Sequence, residues 1–164
     1  MSKKKVLILM GSDSDLKVME EAVKALDKFG IASEVHIASA HRTPDKVHKL
    51  ASQARANGFG VIIAGAGMSA HLGGVIAANT TLPVIGVPMA AGALQGIDAL
   101  LSISQMPQGI PVATVTIGPA GAYNSGLLAA AILSVEDEAL AKKLDDLRAE
   151  MARKVEEKDA ALKR

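Results

Sequence analysis

Short uncharged runs rich in β-branched residues alternate along this chain with stretches whose apolar positions recur at helical spacing. Val6-Leu7-Ile8-Leu9-Met10 is apolar at every position and predicts a first strand buried on both faces. From Asp15 to Phe29, Leu16, Met19, Val23 and Leu26 share one helical face, and Gly30 closes the segment. Glu34 to Ala38 predicts a second strand, which leads into Ser39-Ala40-His41-Arg42-Thr43-Pro44. Thr43 and Pro44 there suit the N-cap and first position of a helix running to Asn57-Gly58. Val61–Ala64, Pro83–Val87 and Pro111–Val115 predict three further strands.

Strands apolar on both faces and separated by helices imply a parallel sheet with right-handed crossovers. The expected fold is α/β, a three-layer sandwich with a flavodoxin-like parallel sheet and an additional C-terminal helix. Residues 1–164 are expected to form one domain, in which 136–164 is a charged amphipathic helix striped by Leu140, Leu144, Leu147, Met151 and Val155. Glu136, Asp137 and Glu138 open that helix and Lys163 and Arg164 end it, as the macrodipole favours.

Composition narrows the function classes. With 49 % hydrophobic against 21 % charged residues, the chain can bury a core without staples. A net charge of +1, with Phe29, Phe59 and Tyr123 as the aromatics, argues against a nucleic-acid partner. Lys3-Lys4-Lys5 precedes an apolar run too short for a secretion signal, and every later run is broken before it reaches membrane-spanning length. The chain has no cysteine, so thiolate chemistry and disulfides are excluded and a cytoplasmic location is expected. Between Val61 and Val135, Asp98 is the only Asp, Glu, Lys or Arg. So large an uncharged area is rare on a monomer, and an extensive homo-oligomeric interface is expected to cover it.

In doubly wound sheets ligands sit beyond the carboxyl ends of the strands, here the loops beginning at Gly11, Ser39, Gly65 and Pro88. Gly11-Ser12-Asp13-Ser14-Asp15 offers helix-start amides and hydroxyls to a phosphate and a carboxylate to sugar hydroxyls, although capping alone also explains it. It matches neither a phosphate-binding P-loop nor a dinucleotide fingerprint. His41 and Arg42 place a proton-exchanging imidazole beside a guanidinium fork suited to phosphate, or else form an ordinary loop ion pair. In Gly65-Ala66-Gly67-Met68-Ser69-Ala70-His71, small residues let backbone amides close around a ligand, and His71 is either a site residue or a hydrogen-bonded structural histidine. His36 and His48 fit structural or surface positions. With no Cys, no HxxxH pair and no carboxylate cluster among these loops, a metal site is not expected. Proton transfer on a small phosphorylated ligand is the chemistry that survives.

Six ordered motifs resemble the 5-(carboxyamino)imidazole ribonucleotide mutase family of bacterial purine biosynthesis: Met10–Asp15, Ser39–Pro44, Ile63–Gly67, Ala70–Leu72, Leu82–Pro88, and Leu100–Ile103 with Gln105–Pro107. The resemblance spans residues 5 to 134. It implies a flavodoxin-like fold, a typically octameric assembly and a cofactor-free isomerisation of a phosphorylated imidazole ribonucleotide. In that reaction a carboxylate moves from the exocyclic nitrogen to ring carbon C4. It further implies that His41 is the general acid/base, that Arg42 and Ser12 hold the phosphate and Asp15 the sugar hydroxyls, and that Gly11, Ser39, Ala40, Gly65, Gly67 and His71 line the pocket. The chain departs from the family pattern at Met68 and Ser69, where Gly-Ala is usual, at Gly73, where Pro is usual, and at Ala99, where Ser is usual. A sister group that carboxylates aminoimidazole ribonucleotide directly with carbon dioxide is the alternative; Arg42, where that group tends to carry Lys, and His71 favour the mutase. A noncatalytic nucleotide-binding module is the other alternative.

Overall fold

The computed structural model of the chain describes residues 4–162. Its five strands are β1 (Lys5–Met10), β2 (Ser33–Ile37), β3 (Phe59–Gly67), β4 (Val84–Met89) and β5 (Ala113–Thr114). The helices are α1 (Leu16–Phe29), α2 (Pro44–Gln53), α3 (Leu72–Ala77), α4 (Ile97–Ser104), α5 (Pro119–Ser134) and α6 (Glu138–Leu162). A short 3₁₀ turn, Asp13–Asp15, precedes α1. All strand pairs are parallel and the order is β2-β1-β3-β4-β5, the flavodoxin-like arrangement.

The uninterrupted apolar run of β1 is explained by covering layers on both sides. Val6, Ile8 and Met10 face Met19 and Leu26 of α1 and Ala122 and Ala129 of α5. Leu7 and Leu9 face Val47 and Ala51 of α2, Ile76 of α3 and Ile103 of α4. α1 and α5 approach closely because their contact surfaces are small: a β-carbon on Gly126 would stand 2.7 Å from both the Ala22 carbonyl oxygen and Ala25 Cβ.

Several boundaries differ from the expected ones: β4 runs on to Met89, through Pro88 where a loop was expected to begin, and α6 starts at Glu138 rather than at residue 136. β3 continues through Gly65, Ala66 and Gly67, which pair with Val87, Pro88 and Met89; small residues suggest a loop in sequence but here permit the chain to remain extended against β4. β5 shrinks to two residues at the sheet edge. α2 stops at Gln53, and turns carry the chain to Gly58, whose φ is +84°. At the other end, Asp137 Oδ1 accepts from the Leu140 N–H at 3.0 Å and caps α6. Leu140 and Leu147 are buried, whereas Met151 and Val155 of the same stripe are exposed. Lys163 and Arg164, expected to end this helix, lie outside the described residues. Among the described residues no helix is long and apolar enough to cross a membrane.

Candidate active site

Pairing of adjacent parallel strands brings three of the expected loops to one edge. Met10 of β1 lies opposite Ile37 of β2 and Gly65 of β3, and the Gly11 N–H donates to the Gly65 carbonyl at 3.2 Å. Beyond β1, Ser12 caps the 3₁₀ turn by accepting from the Ser14 N–H at 3.3 Å, and the Ser14 hydroxyl donates to Ser12 Oγ at 2.9 Å. Asp15 ends that turn half-buried. Burial is the largest influence on its carboxyl and holds its pKa above the ordinary carboxylate value, against hydrogen bonds from Ser12 and Ser14 and the opposing charge of Arg42.

The loop after β2 closes on itself. The Ser39 N–H donates to Thr43 Oγ1 at 2.9 Å, and the Thr43 N–H donates to the Ser39 carbonyl at 2.9 Å. Thr43 therefore occupies the N-cap position before Pro44, but its hydroxyl ties the loop rather than capping α2. Ser39 Oγ accepts from the Arg42 N–H at 3.2 Å, which turns the arginine toward the first loop. There, Arg42 Nη2 donates to the Gly11 carbonyl at 2.8 Å. Ala40 packs half-buried against the α2 side of the core.

His41 points to the third loop, where its Nε2 lies 2.8 Å from Nδ1 of His71. The rings meet edge to face with centroids 4.9 Å apart. One nitrogen donates and the other accepts, so each imidazole fixes the tautomer and orientation of the other. His71 sits just before α3, its N–H donating to the Ser69 carbonyl at 2.8 Å. The two glycines of this loop admit bulky neighbours: a β-carbon on Gly65 would collide with the Met19 and Met89 side chains, and one on Gly67 would press on Ala91 and Met89.

Ser12, Asp15, Arg42, His41 and His71 are thus carried by contiguous loops linked by Arg42–Gly11 and His41–His71 contacts. The other two histidines lie elsewhere, His48 bonded through Nδ1 to Asn79 at 2.7 Å and His36 3.9 Å from Glu34. Among the described residues no group of three or more His, Cys, Asp or Glu could hold a metal ion. His41, Arg42 and His71 are exposed in the single chain. Two concavities lie away from it: an apolar groove of about 220 Å³ beside Leu16, Met19, Val23 and Val35, and a cleft of about 910 Å³ near Arg55, Asn79 and Pro111. Their shape does not outweigh the chemistry of the rim, since the first is almost wholly apolar and the second lies at the opposite sheet edge, where β4 begins.

Sequence reasoning missed a contact on this rim. Met68 has a left-handed backbone, with φ +56°, and its side chain lies over Gly92 in the loop after β4. The small-residue run Ala90-Ala91-Gly92-Ala93 was the available signal, since such a run leaves room for a large neighbour.

Fold and rim together define a flavodoxin-like α/β protein whose strand-end loops gather an arginine, a half-buried aspartate and a pair of hydrogen-bonded histidines. The AIR carboxylase family model matches residues 5–154, and the chain belongs to that family. It is 58 % identical over 141 residues to the N5-carboxyaminoimidazole ribonucleotide mutase of Bacillus subtilis, covering 86 % of this chain and 87 % of that one. The protein of the same name from Escherichia coli K12 is 51 % identical over 144 residues, covering 88 % and 85 %. The crystal structure of Treponema denticola PurE superposes with a TM-score of 0.89 at 33 % identity, covering 98 % of this chain and 99 % of that one.

Proposed function

We propose that this chain is an isomerase of purine biosynthesis that converts 5-(carboxyamino)imidazole ribonucleotide into 4-carboxy-5-aminoimidazole ribonucleotide. The observation that carries the reading is the meeting of His41 and His71 beside Arg42, in a chain more than half identical to proteins named for that mutase activity.

The reaction needs one proton to leave C4 and one to reach the exocyclic nitrogen, with no net change. A single imidazole can relay both. His41 donates to the exocyclic nitrogen as the N–carboxyl bond breaks and carbon dioxide is released. C4 then forms a bond to the carbon of that carbon dioxide, and the C4 proton passes to His41, restoring its starting state. His71 holds the His41 ring through their shared hydrogen bond. Arg42 supplies a forked, permanently charged donor to the phosphate, Ser12 a hydroxyl, and Asp15 an acceptor to the sugar hydroxyls. Gly11, Ser39, Ala40, Gly65 and Gly67 line the pocket with small groups. Keeping the released carbon dioxide beside C4 replaces a bimolecular recapture by a local one, a large gain in effective molarity. The residues require no cofactor for these steps.

The chain is proposed to act as one α/β domain in a homo-octamer in the cytoplasm. The exposed side chains of Leu94, Ile97, Leu101 and Val135, all in the nearly charge-free span, support burial against further copies.

Incubating purified protein with the carboxyamino substrate without added bicarbonate tests the activity. Formation of the C4-carboxylated product is expected, and no conversion would refute the reading. The family's description as AIR carboxylase favours one second reading, direct carboxylation of aminoimidazole ribonucleotide by carbon dioxide. Product formation only from aminoimidazole ribonucleotide with added bicarbonate would establish it.

A further inference from the structure

The backbone of Met68 is held in a conformation that L side chains rarely adopt, at φ +56°. Strain of this kind persists where neighbouring structure fixes it, and such places cluster at functional sites. Its neighbours here belong to the rim. The Met68 carbonyl accepts from the Ala70 N–H at 2.8 Å, and Ala70 leads directly to His71, the partner of His41. Across the gap, a β-carbon on Gly92 would stand 3.7 Å from Met68 Cγ and 4.0 Å from its Cε. The side chain therefore lies along the bare backbone of Gly92, which is itself left-handed at φ +64° and is fastened by Gln95 Nε2 donating to its carbonyl at 2.9 Å. Below this contact a β-carbon on Gly67 would meet Ala91 Cβ at 3.2 Å, so the two loops already touch at their base. Met68 extends that contact outward and is still 58 % exposed.

We propose that Met68 is a positioning residue for the carboxyl transfer: laid over Gly92, it closes the gap between the loops after β3 and β4 and keeps released carbon dioxide beside C4. This rests on the isomerase reading above. Methionine suits the task because its unbranched thioether fits an irregular gap and presents an apolar wall that excludes water.

The experiment follows the fate of the carboxyl carbon. Substrate labelled with ¹³C in its carboxylate is converted in buffer containing unlabelled bicarbonate and carbonic anhydrase, and the label remaining in the product is measured by mass spectrometry. Wild-type protein and Met68→Leu, which keeps an apolar side chain of similar volume, are expected to retain most of the label. Met68→Gly is expected to lose it several-fold more readily. Glycine relieves the left-handed strain, and thermal unfolding will register whether the variant is folded. Equal retention by wild-type and Met68→Gly protein overturns the proposal, as does complete loss of label from wild-type product. Absence of conversion by the wild-type protein instead overturns the isomerase reading.

Discussion

His41 and His71, thirty positions apart in sequence, share a hydrogen bond between Nε2 and Nδ1 at 2.8 Å. A ring held at one nitrogen presents the other in a fixed direction, which is what repeated proton delivery to two atoms of one substrate requires. His41→Asn is expected to lower kcat by at least about 10²-fold, the lower end for a positioned acid/base, while assembly and substantial substrate binding survive. Removing only the support with His71→Asn should cost about tenfold in kcat, the worth of a typical hydrogen bond. Steady-state kinetics decides both, and near-wild-type turnover by the His41 variant would remove it from the mechanism.

Arg42 connects loops as well as carrying charge, because its Nη2 donates to the Gly11 carbonyl at 2.8 Å. Arg42→Ala should therefore weaken substrate binding about 10- to 100-fold, in keeping with loss of a charge-assisted hydrogen bond. Calorimetric titration measures this directly. An unchanged dissociation constant would place the phosphate elsewhere.

How legible these contacts were depends on whether they arise locally or across the sheet. The run from Val6 to Met10 announces a doubly covered strand because every position is apolar, and strand ends then locate the loops by topology alone. His41 and Arg42 stand out as titratable and charged groups at such an end. Their partners do not: the 2.8 Å contact with His71 follows from the registration of β1, β2 and β3, which no local pattern encodes. Gly65–Gly67 misled in the opposite direction, since pairing with β4 keeps this glycine-rich segment extended despite its weak intrinsic preference.

Asp15 is half-buried, and burial raises its pKa above the ordinary carboxylate value. The folded state thus binds this proton more tightly than the unfolded chain does. Stability from this group consequently falls as pH rises from the ordinary carboxylate value through the raised one. Asp15→Asn should leave the protein equally or slightly more stable at pH 7, by less than about 1 kcal/mol because the carboxyl is partly solvated, and this difference should vanish in acid. Substrate affinity of the variant should be lower than wild type at pH 7, because the sugar hydroxyls lose a carboxylate acceptor. Urea unfolding at several pH values tests the first expectation, and a variant markedly less stable at neutral pH would contradict it.

Close approach of α1 and α5 makes Gly126 intolerant of even one methyl group, because the added carbon would stand 2.7 Å from the Ala22 carbonyl oxygen. Backbone cannot rotate aside as a side chain can. Gly126→Ala is expected to destabilise by about 1–3 kcal/mol, the usual cost of overpacking. Gly73→Ala offers the contrast, since its new carbon would lie 3.5 Å from Val112 Cγ1 within a helix that gains from alanine. Denaturant melts should separate the two variants clearly; similar midpoints would mean that α1 and α5 are less tightly joined than the structure places them.

Leu94, Ile97 and Leu101 stand three and four residues apart in the turn and helix that follow β4, and they are 58 %, 57 % and 53 % exposed. Ala99 and Ile103 on the other side of α4 are buried against the sheet, so this helix is apolar on both faces. An isolated chain would leave that outer ridge in water, where each fully covered leucine or isoleucine would otherwise gain about 1.5–3 kcal/mol. In a closed assembly every copy repeats the contact, so one charged substitution acts at all equivalent interfaces. Ile97→Glu and Leu101→Glu are therefore expected to convert the proposed oligomer into smaller species without unfolding the sandwich, as light scattering coupled to size exclusion would show. If both variants retain the wild-type mass, the ridge is not a surface through which copies associate.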